Sequence, residues 1–380
     1  MAKKEGGKAK IVLGDELLQS VYNTLQSGKN SYDAYILGQQ ESPSSVKSFI
    51  STGNELLDLI ISNRKNGGIA VGRVTEVFGD TSTGKSLLMG HIIAEVQKLG
   101  GIAVFIDSEF SVSEEFLEAI GVDLEKMIYI PCELIEDAFM AAEDIILDIK
   151  KNGGTDKPVV IIMDSIMGFS NKVEIEDDYE QRGFATQKAR LLSTAMRKIT
   201  GLISKENVAL VLTNQIRTNL NAMFGADKST TSGGKAIPFH TTTRLKLANL
   251  GKIKDAKKNV IGVKVLAEVK KSKLGPAFKK CEFDIYYASG MDKWSSWFAT
   301  GKEVGCIVKS GNKWKASFDT EEDKAFSSGE FIEKVQTDEA WRNKLYDEIA
   351  EHYIMKYKPQ GQLSALSDDS GIEFDDNDDE

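Results

Sequence analysis

The chain has 380 residues, of which 41% are hydrophobic and 28% are charged, a balance typical of a globular protein with one large domain and a smaller one. No apolar run reaches the length of a membrane span, and the N-terminal MAKKEGGKAK lacks the apolar stretch of a signal peptide. We therefore expect no membrane partner and a cytoplasmic location. Three widely spaced cysteines match no metal pattern and predict a reduced compartment without a structural disulfide.

The formal net charge of −9 is concentrated at one end of the chain. Residues 367–380 (SDDSGIEFDDNDDE) carry eight acidic side chains and no basic one, so the remainder sums to about −1. A segment with so little to bury is predicted to be disordered. It would serve either as a solubility tail or as a polyanion that competes with another polyanion for a basic surface, and the sequence leaves both roles open.

The predicted elements begin with a helix over residues 15–27, whose apolar spacing would let it dock on a neighbour. Residues 28–48 are polar and rich in turn formers, which predicts a linker. Strands then alternate with helices as far as residue 290, and one or two amphipathic helices follow over 329–357. We divide the chain into an N-terminal helical segment with its linker, a core, a small α/β C-terminal domain and a disordered tail, at residues 1–47, 48–290, 291–358 and 359–380.

Residues 79–86 (GDTSTGKS) fit the phosphate-binding pattern G-x-x-x-x-G-K-[ST] without a mismatch. The preceding GRVTEVF predicts a buried strand and the following LLMGHIIAEV a helix, which is the setting that the motif requires. Backbone N–H groups turned inward at the glycines would bind phosphate together with the helix N-terminus. Lys85 would contact the β- and γ-phosphates, and Ser86 would ligate Mg²⁺. The residues predicted to hold the nucleoside triphosphate are Gly79, Asp80, Thr81, Ser82, Thr83, Gly84, Lys85 and Ser86.

Three short apolar runs predict buried parallel strands, namely GIAVFI (101–106), KPVVIIM (157–163) and NVALVL (207–212). Polar residues follow each run, and ligands bind at the carboxyl ends of strands in open α/β sheets. Further strands are predicted near 241–248, 260–270 and 280–288, where they would extend the same sheet.

The residues after these runs suggest the chemistry. Asp164 stands where P-loop enzymes place the aspartate on the Mg²⁺ side. Its neighbour is Ser165 rather than the acidic base found in some ATPases, so the base must come from elsewhere. Glu109 is the candidate, because it could orient the attacking water; the alternative is an exposed strand-end carboxylate without a catalytic role. Gln215 could contact the γ-phosphate and report its presence.

Several stretches resemble the RecA-type homologous recombinases, the bacterial RecA proteins and their phage relatives. They are STGNELLDLI at 51, the phosphate loop at 79, FIDSEF at 105, MDS at 163, AMRKI at 195, TNQIR at 213, MFG with TTSGGKA at 223 to 236, and KKSKLGPAFKK at 270. NQIR followed by MFG and TTSGG is far more specific than a phosphate loop alone. The resemblance implies a RecA-like P-loop ATPase core of the α/β class with a mostly parallel twisted sheet, a small helical N-terminal element and a small α/β C-terminal domain.

The same resemblance implies a function and its partners. It implies a DNA-dependent ATPase that forms helical filaments on single-stranded DNA and catalyses homologous pairing and strand exchange in recombination and repair. Its ligands would be ATP, Mg²⁺, single-stranded and double-stranded DNA and further copies of the chain, with a single-strand-binding or loader protein as a further partner. It would act in the bacterial cytoplasm, or in the host cytoplasm if phage-encoded. A closed hexameric motor such as a replicative helicase, and an ATP-gated single-strand coat protein with vestigial hydrolysis, remain as alternatives.

Carried over residue by residue, the resemblance assigns roles at the nucleotide. Glu109 corresponds to the family's catalytic glutamate, Gln215 to its γ-phosphate sensor and Phe116 to an aromatic ring against the adenine. Lys271 and Lys273 correspond to two lysines that reach the neighbour's ATP; an unplaced lysine run would otherwise indicate a solvated face.

The resemblance also assigns DNA contacts and an interface residue. Residues 174–183 correspond to a first DNA loop, here longer and more acidic than in bacterial RecA, and 219–231 to a second loop with Leu220 as a wedge between base triplets. Phe239 corresponds to an interface aromatic, and Phe110 stands where many relatives carry histidine. The implied DNA-binding residues are Arg190, Arg197, Arg217, Asn219, Leu220, Met223, Phe224, Gly225, Thr231, Gly233 and Gly234.

Overall fold

The computed structural model describes residues 14–27, 31–176, 184–218, 229–231, 233–234 and 236–357. The chain divides into two compact units, Met1–Val46 and Lys47–Glu380. The first unit contains helix α1 (Gly14–Ser27), which confirms the predicted N-terminal helix. Within this unit the Tyr22 hydroxyl donates to Gln40 Oε1 at 3.0 Å.

The second unit alternates helices and strands. Its helices in the described residues are α2 (Glu55–Ser62), α3 (Lys85–Lys98), α4 (Glu114–Ala119), α5 (Ile135–Lys151), α6 (Lys172–Glu176), α7 (Phe184–Ile203), α8 (Ala236–His240), α9 (Ser295–Glu303), α10 (Ser328–Thr337) and α11 (Glu339–Tyr353). Its strands are β1 (Phe49–Ile50), β2 (Ile69–Ala70), β3 (Val74–Gly79), β4 (Ile102–Asp107), β5 (Met127–Pro131), β6 (Val159–Asp164), β7 (Val208–Thr218), β8 (Ser229–Thr231), β9 (Thr243–Lys254), β10 (Val260–Ser272), β11 (Lys280–Tyr286), β12 (Gly290–Met291), β13 (Ile307–Ser310) and β14 (Lys313–Ala316).

The large sheet has the strand order β12-β11-β10-β9-β3-β7-β6-β4-β5, with β8 paired to β7. From β9 to β5 the neighbouring strands run parallel, whereas β10, β11 and β12 are added antiparallel. Asp107 on β4 pairs with Asp164 on β6, and Met163 pairs with Leu212 on β7. This confirms both the predicted α/β sheet and the prediction that these three segments are adjacent parallel strands.

One strand end differs from the sequence prediction. The third apolar run was expected to end at residue 212, but β7 continues to Thr218. The extension is stabilised by β8, which pairs antiparallel with it and places Thr231 opposite Ile216. The sequence predicted a strand end there because polar residues begin at 213, and the strand that pairs with the extension, β8, lies at residues 229–231, further along the chain.

Side chains that alternate along the strands form two hydrophobic cores, one on each face of the sheet. Every residue of β6 is buried; Val160 and Ile162 belong to the core that includes α2 and α3, and Ile161 and Met163 to the core with α5 and α7. Successive side chains of a strand point to opposite faces, so a continuous apolar run fits a sheet covered on both sides.

The residues after 290 pack on the first of these cores. Trp297, Phe331 and Leu345 are buried members of the same cluster as α3. The predicted C-terminal helices are present as α10 and α11, while the boundary proposed at 290/291 stays a prediction. No helix in the described residues is long and apolar enough to cross a lipid bilayer.

Candidate nucleotide-binding site

The phosphate loop joins the end of β3 to the start of α3, as the motif predicts. Gly84 has a φ of 86°, in the left-handed region, and a Cβ there would lie 2.4 Å from Ile285 Cδ1. At Gly79 a Cβ would lie 2.3 Å from the carbonyl oxygen of Leu247. Both positions therefore require glycine, and the loop packs against the strands beside it.

Lys85 lies inside this loop. Its Nζ donates hydrogen bonds to the carbonyl oxygens of Gly79 at 3.1 Å and Asp80 at 2.6 Å. Burial lowers the pKa of Lys85, and the nearby carboxylates of Asp164, Glu109 and Asp80 oppose that shift. The ammonium is thus held by the loop backbone and is directed toward the place where a phosphate would bind.

An open cavity of about 280 Å³ extends from the phosphate loop to the carboxyl ends of the strands. Its lining residues are Thr81, Ser82, Gly84, Lys85, Ser86, Leu87, Glu109, Asp164, Ser165 and Gln215. The structure therefore brings most of the predicted nucleotide and catalytic residues together. Leu87 and Ser165 were not predicted as site residues, although Ser165 comes immediately after Asp164, which was identified because it follows the apolar run 157–163.

A second cavity of about 450 Å³ is larger but is mainly apolar. It lies between α5 and α7, with Phe139, Met140 and Ile199 in its lining. None of the predicted site residues lines it. Phosphate binding requires inward-facing backbone amides and cations. Of these two cavities, the smaller one is lined by the phosphate loop, which provides both, so it is the candidate active site.

Asp164 and Ser86 offer a set of oxygen donors. Asp164 is only 7% exposed, and its Oδ1 accepts a hydrogen bond of 2.5 Å from the Thr213 hydroxyl. Burial raises the pKa of Asp164, while hydrogen bonds from Thr213 and Ser86 oppose the shift. A cation at this position would favour the ionised carboxylate, and a carboxylate beside a hydroxyl is a set of ligands that suits Mg²⁺.

Glu109 lies at the end of β4, where the buried Asp107 fixes the backbone. Asp107 accepts hydrogen bonds from the N–H groups of Glu109 at 2.8 Å and Ser111 at 2.9 Å. The Glu109 carboxylate in turn accepts from the Ser165 hydroxyl at 2.9 Å, and Gln215 Nε2 lies 3.5 Å from the same oxygen. The predicted base and the predicted γ-phosphate sensor thus lie within reach of each other.

Some predicted residues lie away from this cavity. Lys271 Nζ donates to the carbonyl oxygens of Pro238 at 2.5 Å, Phe239 at 3.3 Å and Thr241 at 2.9 Å of its own chain, at the C-terminal end of α8. Lys273 is exposed, as is 74% of Phe239. Neither lysine lines the cavity of its own chain, and neither does the partly buried Phe116 on α4.

The predicted DNA-binding residues are described only in part. Arg190 and Arg197 are exposed on α7, and Gly233 and Gly234 form a turn with φ values of 95° and 62°. Thr231 is buried and accepts from Arg244 through its hydroxyl. Outside the described residues, or with a side chain outside them, lie Arg217, Asn219, Leu220, Met223, Phe224, Gly225 and the stretch 177–183 of the first loop.

A phosphate loop at the carboxyl edge of parallel strands, with an aspartate and a second carboxylate facing it, is the arrangement of the P-loop nucleoside triphosphatases. Comparison with known proteins narrows this class. A family model described as the RecA N-terminal domain matches residues 19–292. The chain belongs to this family.

Curated relatives agree with that assignment. Protein RecA of Chloroherpeton thalassium is 33% identical over 306 residues, which cover 80% of this chain and 81% of that protein. Protein RecA of Symbiobacterium thermophilum is 36% identical over 277 residues, covering 72% and 75%. Protein RecA of Rickettsia bellii is 38% identical over 263 residues, covering 69% and 73%.

Family membership confirms the predicted function. The chain is a DNA-dependent ATPase that mediates homologous pairing and strand exchange in recombination and repair. Binding of a nucleotide and of DNA, and assembly into filaments, are properties of this family.

Proposed function

We propose that Glu109 is the general base of ATP hydrolysis, with Lys85 and Gln215 at the γ-phosphate and Ser86 and Asp164 as ligands of Mg²⁺. The observation that carries the proposal is the convergence of all five side chains on one cavity beside the phosphate loop. Bound Mg²⁺ would neutralise charge on the phosphate oxygens.

Each of these side chains has a chemical task. Glu109 accepts the proton of the attacking water and holds that water toward the γ-phosphate. The Lys85 ammonium, at present bonded to loop carbonyls, stabilises the charge that develops on the phosphate oxygens. The buried Asp164 keeps its orientation through the Thr213 hydroxyl. Phe116 would pack against the adenine, and the backbone from Gly79 to Gly84 would surround the phosphates.

The same site would switch DNA binding. Gln215 lies within β7, whose far end leads into residues 219–228 and returns as β8. Loss of the γ-phosphate would remove the contact of Gln215, and hydrolysis would thereby loosen the hold on DNA. Lys271 and Lys273 would serve the ATP of a neighbouring copy, a role supported by their position outside the cavity of their own chain.

The chain would bind two forms of DNA. We take single-stranded DNA as the polymerisation template and double-stranded DNA as the pairing partner, with Arg190 and Arg197 at their phosphates. A single-strand-binding or loader protein, the cytoplasm as location, and the domain limits at 47/48, 290/291 and 358/359 remain predictions that rest on the family and on the sequence pattern.

Two variants test the roles at ATP. Glu109→Gln should keep ATP and DNA binding while lowering the DNA-stimulated hydrolysis rate by at least ~10²-fold, the size of a lost general base. Lys85→Ala should abolish tight nucleotide binding. The measurements are radiolabelled ATP hydrolysis and nucleotide binding by equilibrium dialysis, and normal turnover in Glu109→Gln would place the base elsewhere.

A further inference from the structure

Ser165 occupies the position beside Asp164, where some P-loop ATPases carry an acidic base. Its side chain is only 1% exposed, lines the candidate site and contacts Glu109 through its hydroxyl. We propose that Ser165 is a positioning residue, whose hydroxyl holds the Glu109 carboxylate in the orientation needed to take the proton of the attacking water. The inference rests on the proposed role of Glu109 as the base.

The hydrogen bonds around the Ser165 hydroxyl give it a direction. Ser165 Oγ lies 2.9 Å from Glu109 Oε1. Ser165 Oγ also accepts a hydrogen bond of 3.3 Å from the backbone N–H of Gly168. Because a carboxylate can only accept and the N–H of Gly168 can only donate, the single hydroxyl proton of Ser165 goes to Glu109. A hydrogen bond to an ionised acceptor is about twice as strong as one between neutral groups.

A second serine fixes the distance between the two strand ends. Ser108, the residue before Glu109, accepts from the backbone N–H of Ser165 at 2.9 Å and donates to its carbonyl oxygen at 3.0 Å. The backbone N–H of Ser108 also donates to the carbonyl oxygen of Asp164 at 2.8 Å. These contacts join the ends of β4 and β6 beside the candidate site and hold the backbone of Ser165 close to that of Glu109, within reach of the bond between their side chains.

Glu109 needs such a partner because its side chain is exposed. An exposed glutamate samples several rotamers, and each ordered side chain costs conformational entropy. Gln215 Nε2 lies at 3.5 Å from the carboxylate, at the limit of a hydrogen bond. Ser165 is the nearer and more rigid donor, so it contributes most of the orientation, while its loss would leave the phosphate loop and Asp164 in place.

The test is a double-mutant cycle of Ser165→Ala and Glu109→Gln, with steady-state hydrolysis of radiolabelled ATP on single-stranded DNA. Ser165→Ala should lower kcat about 10- to 100-fold, the usual effect of a misplaced catalytic group, with KM for ATP within about twofold of wild type. In the Glu109→Gln background the same change should cost less than about twofold, because the group that Ser165 orients no longer acts.

The matched control is Ser62→Ala, since Ser62 is equally buried, at 1% exposure, and its hydroxyl donates to the backbone carbonyl of Asp58. It should lower thermal stability without lowering kcat more than about twofold. Equal kcat losses in the two serine variants, or a Ser165→Ala effect that multiplies fully with that of Glu109→Gln, would overturn the positioning role. If Glu109→Gln itself turns over normally, the proposed base fails instead, so the two failures are distinguishable.

Discussion

Arg244 and Glu76 form an ion pair inside the sheet, with Nε of the guanidinium 2.5 Å from Oε2 of the carboxylate. Glu76 has no exposed surface, and its other oxygen accepts from Asn214 Nδ2 at 3.0 Å. Arg244 also donates from Nη2 to the Thr231 hydroxyl at 3.1 Å, and its guanidinium carbon lies 4.6 Å from the centre of the Phe78 ring. The pair thereby connects β3, β7, β8 and β9 next to the γ-phosphate sensor.

Breaking this pair should be costly for stability. Glu76→Gln should lower the free energy of unfolding by roughly 3 kcal/mol, because the partly buried guanidinium loses a fully buried counter-charge. Lys264→Gln is the control: Lys264 pairs with Glu282 at 3.0 Å with both side chains nearly half exposed, and its loss should cost under about 1 kcal/mol. Urea denaturation of both variants decides the point. Equal losses would show that the Arg244–Glu76 pair is not specially stabilising.

The proposed role of Lys271 and Lys273 at a neighbour's ATP gives a prediction about filaments mixed from two variants. Lys273→Ala should spare ATP binding by monomers but suppress DNA-stimulated turnover, because the lysine would serve a neighbour's site. Mixing it with Glu109→Gln should restore partial activity at mixed interfaces, measured as ATP hydrolysis across mixing ratios. Lys271→Ala should behave likewise, with an added stability loss from its three carbonyl contacts.

The control for this experiment is Lys280→Ala, because Lys280 is an exposed lysine of the neighbouring strand β11. That variant should keep normal turnover. Absence of rescue at any mixing ratio would argue that Lys273 acts within its own subunit or only structurally.

His91 predicts a stability that falls at mildly acidic pH. Its Nε2 accepts a hydrogen bond of 2.9 Å from the backbone N–H of Met291. Burial lowers the pKa of His91 from 6.5 to about 4, with Lys293 adding to the shift and Glu95 opposing it. The folded state therefore favours the neutral ring. The contribution of His91 to the free energy of unfolding is complete above pH 6.5 and is lost as the pH falls from 6.5 toward 4.

The measurement is the free energy of unfolding of wild type and His91→Gln between pH 4 and 8. The advantage of wild type over the variant should be constant above about pH 7 and should shrink by roughly 3 kcal/mol toward pH 4. An advantage that stays constant across this range would contradict the assigned direction.

The acidic tail gives a prediction about DNA affinity, although residues 367–380 lie outside the described part of the chain. Eight acidic side chains on a tether would occupy a basic surface at high effective concentration, and DNA would have to displace them. Removing the tail should raise DNA affinity, most of all for duplex, and the gain should shrink as salt or Mg²⁺ rises. A truncated protein with unchanged duplex affinity at low salt would return the tail to a role in solubility or in docking of another partner.

Much of the fold was predictable because single segments carry the signal. The phosphate loop and the strands ending at Asp107 and Asp164 are continuous in sequence, and their flanking polarity marks the catalytic edge of the sheet. The convergence of Glu109 and Gln215 on one cavity follows once these strands are known to be neighbours.

The rest depended on pairings that no local pattern encodes. Glu76 lies in an apolar strand and Arg244 is 168 residues further along the chain, so their ion pair requires the strand order to be known. The same holds for Ser165 and Glu109, 56 residues apart. Lys271 is the clearest case of a contact that the sequence could not predict. Its three partners are backbone carbonyls, which every residue has, so no residue type indicates them.

Strand exchange between circular single-stranded DNA and homologous linear duplex, run with ATP and with ADP, tests the central claim most directly. With ATP the protein should convert the substrates to nicked circular duplex, and electron microscopy with a non-hydrolysable ATP analogue should find open helical filaments on the single strand. With ADP neither should form. Hydrolysis of ATP that depends on DNA but yields no exchanged product, with closed rings in place of filaments, would contradict the account and favour a hexameric motor.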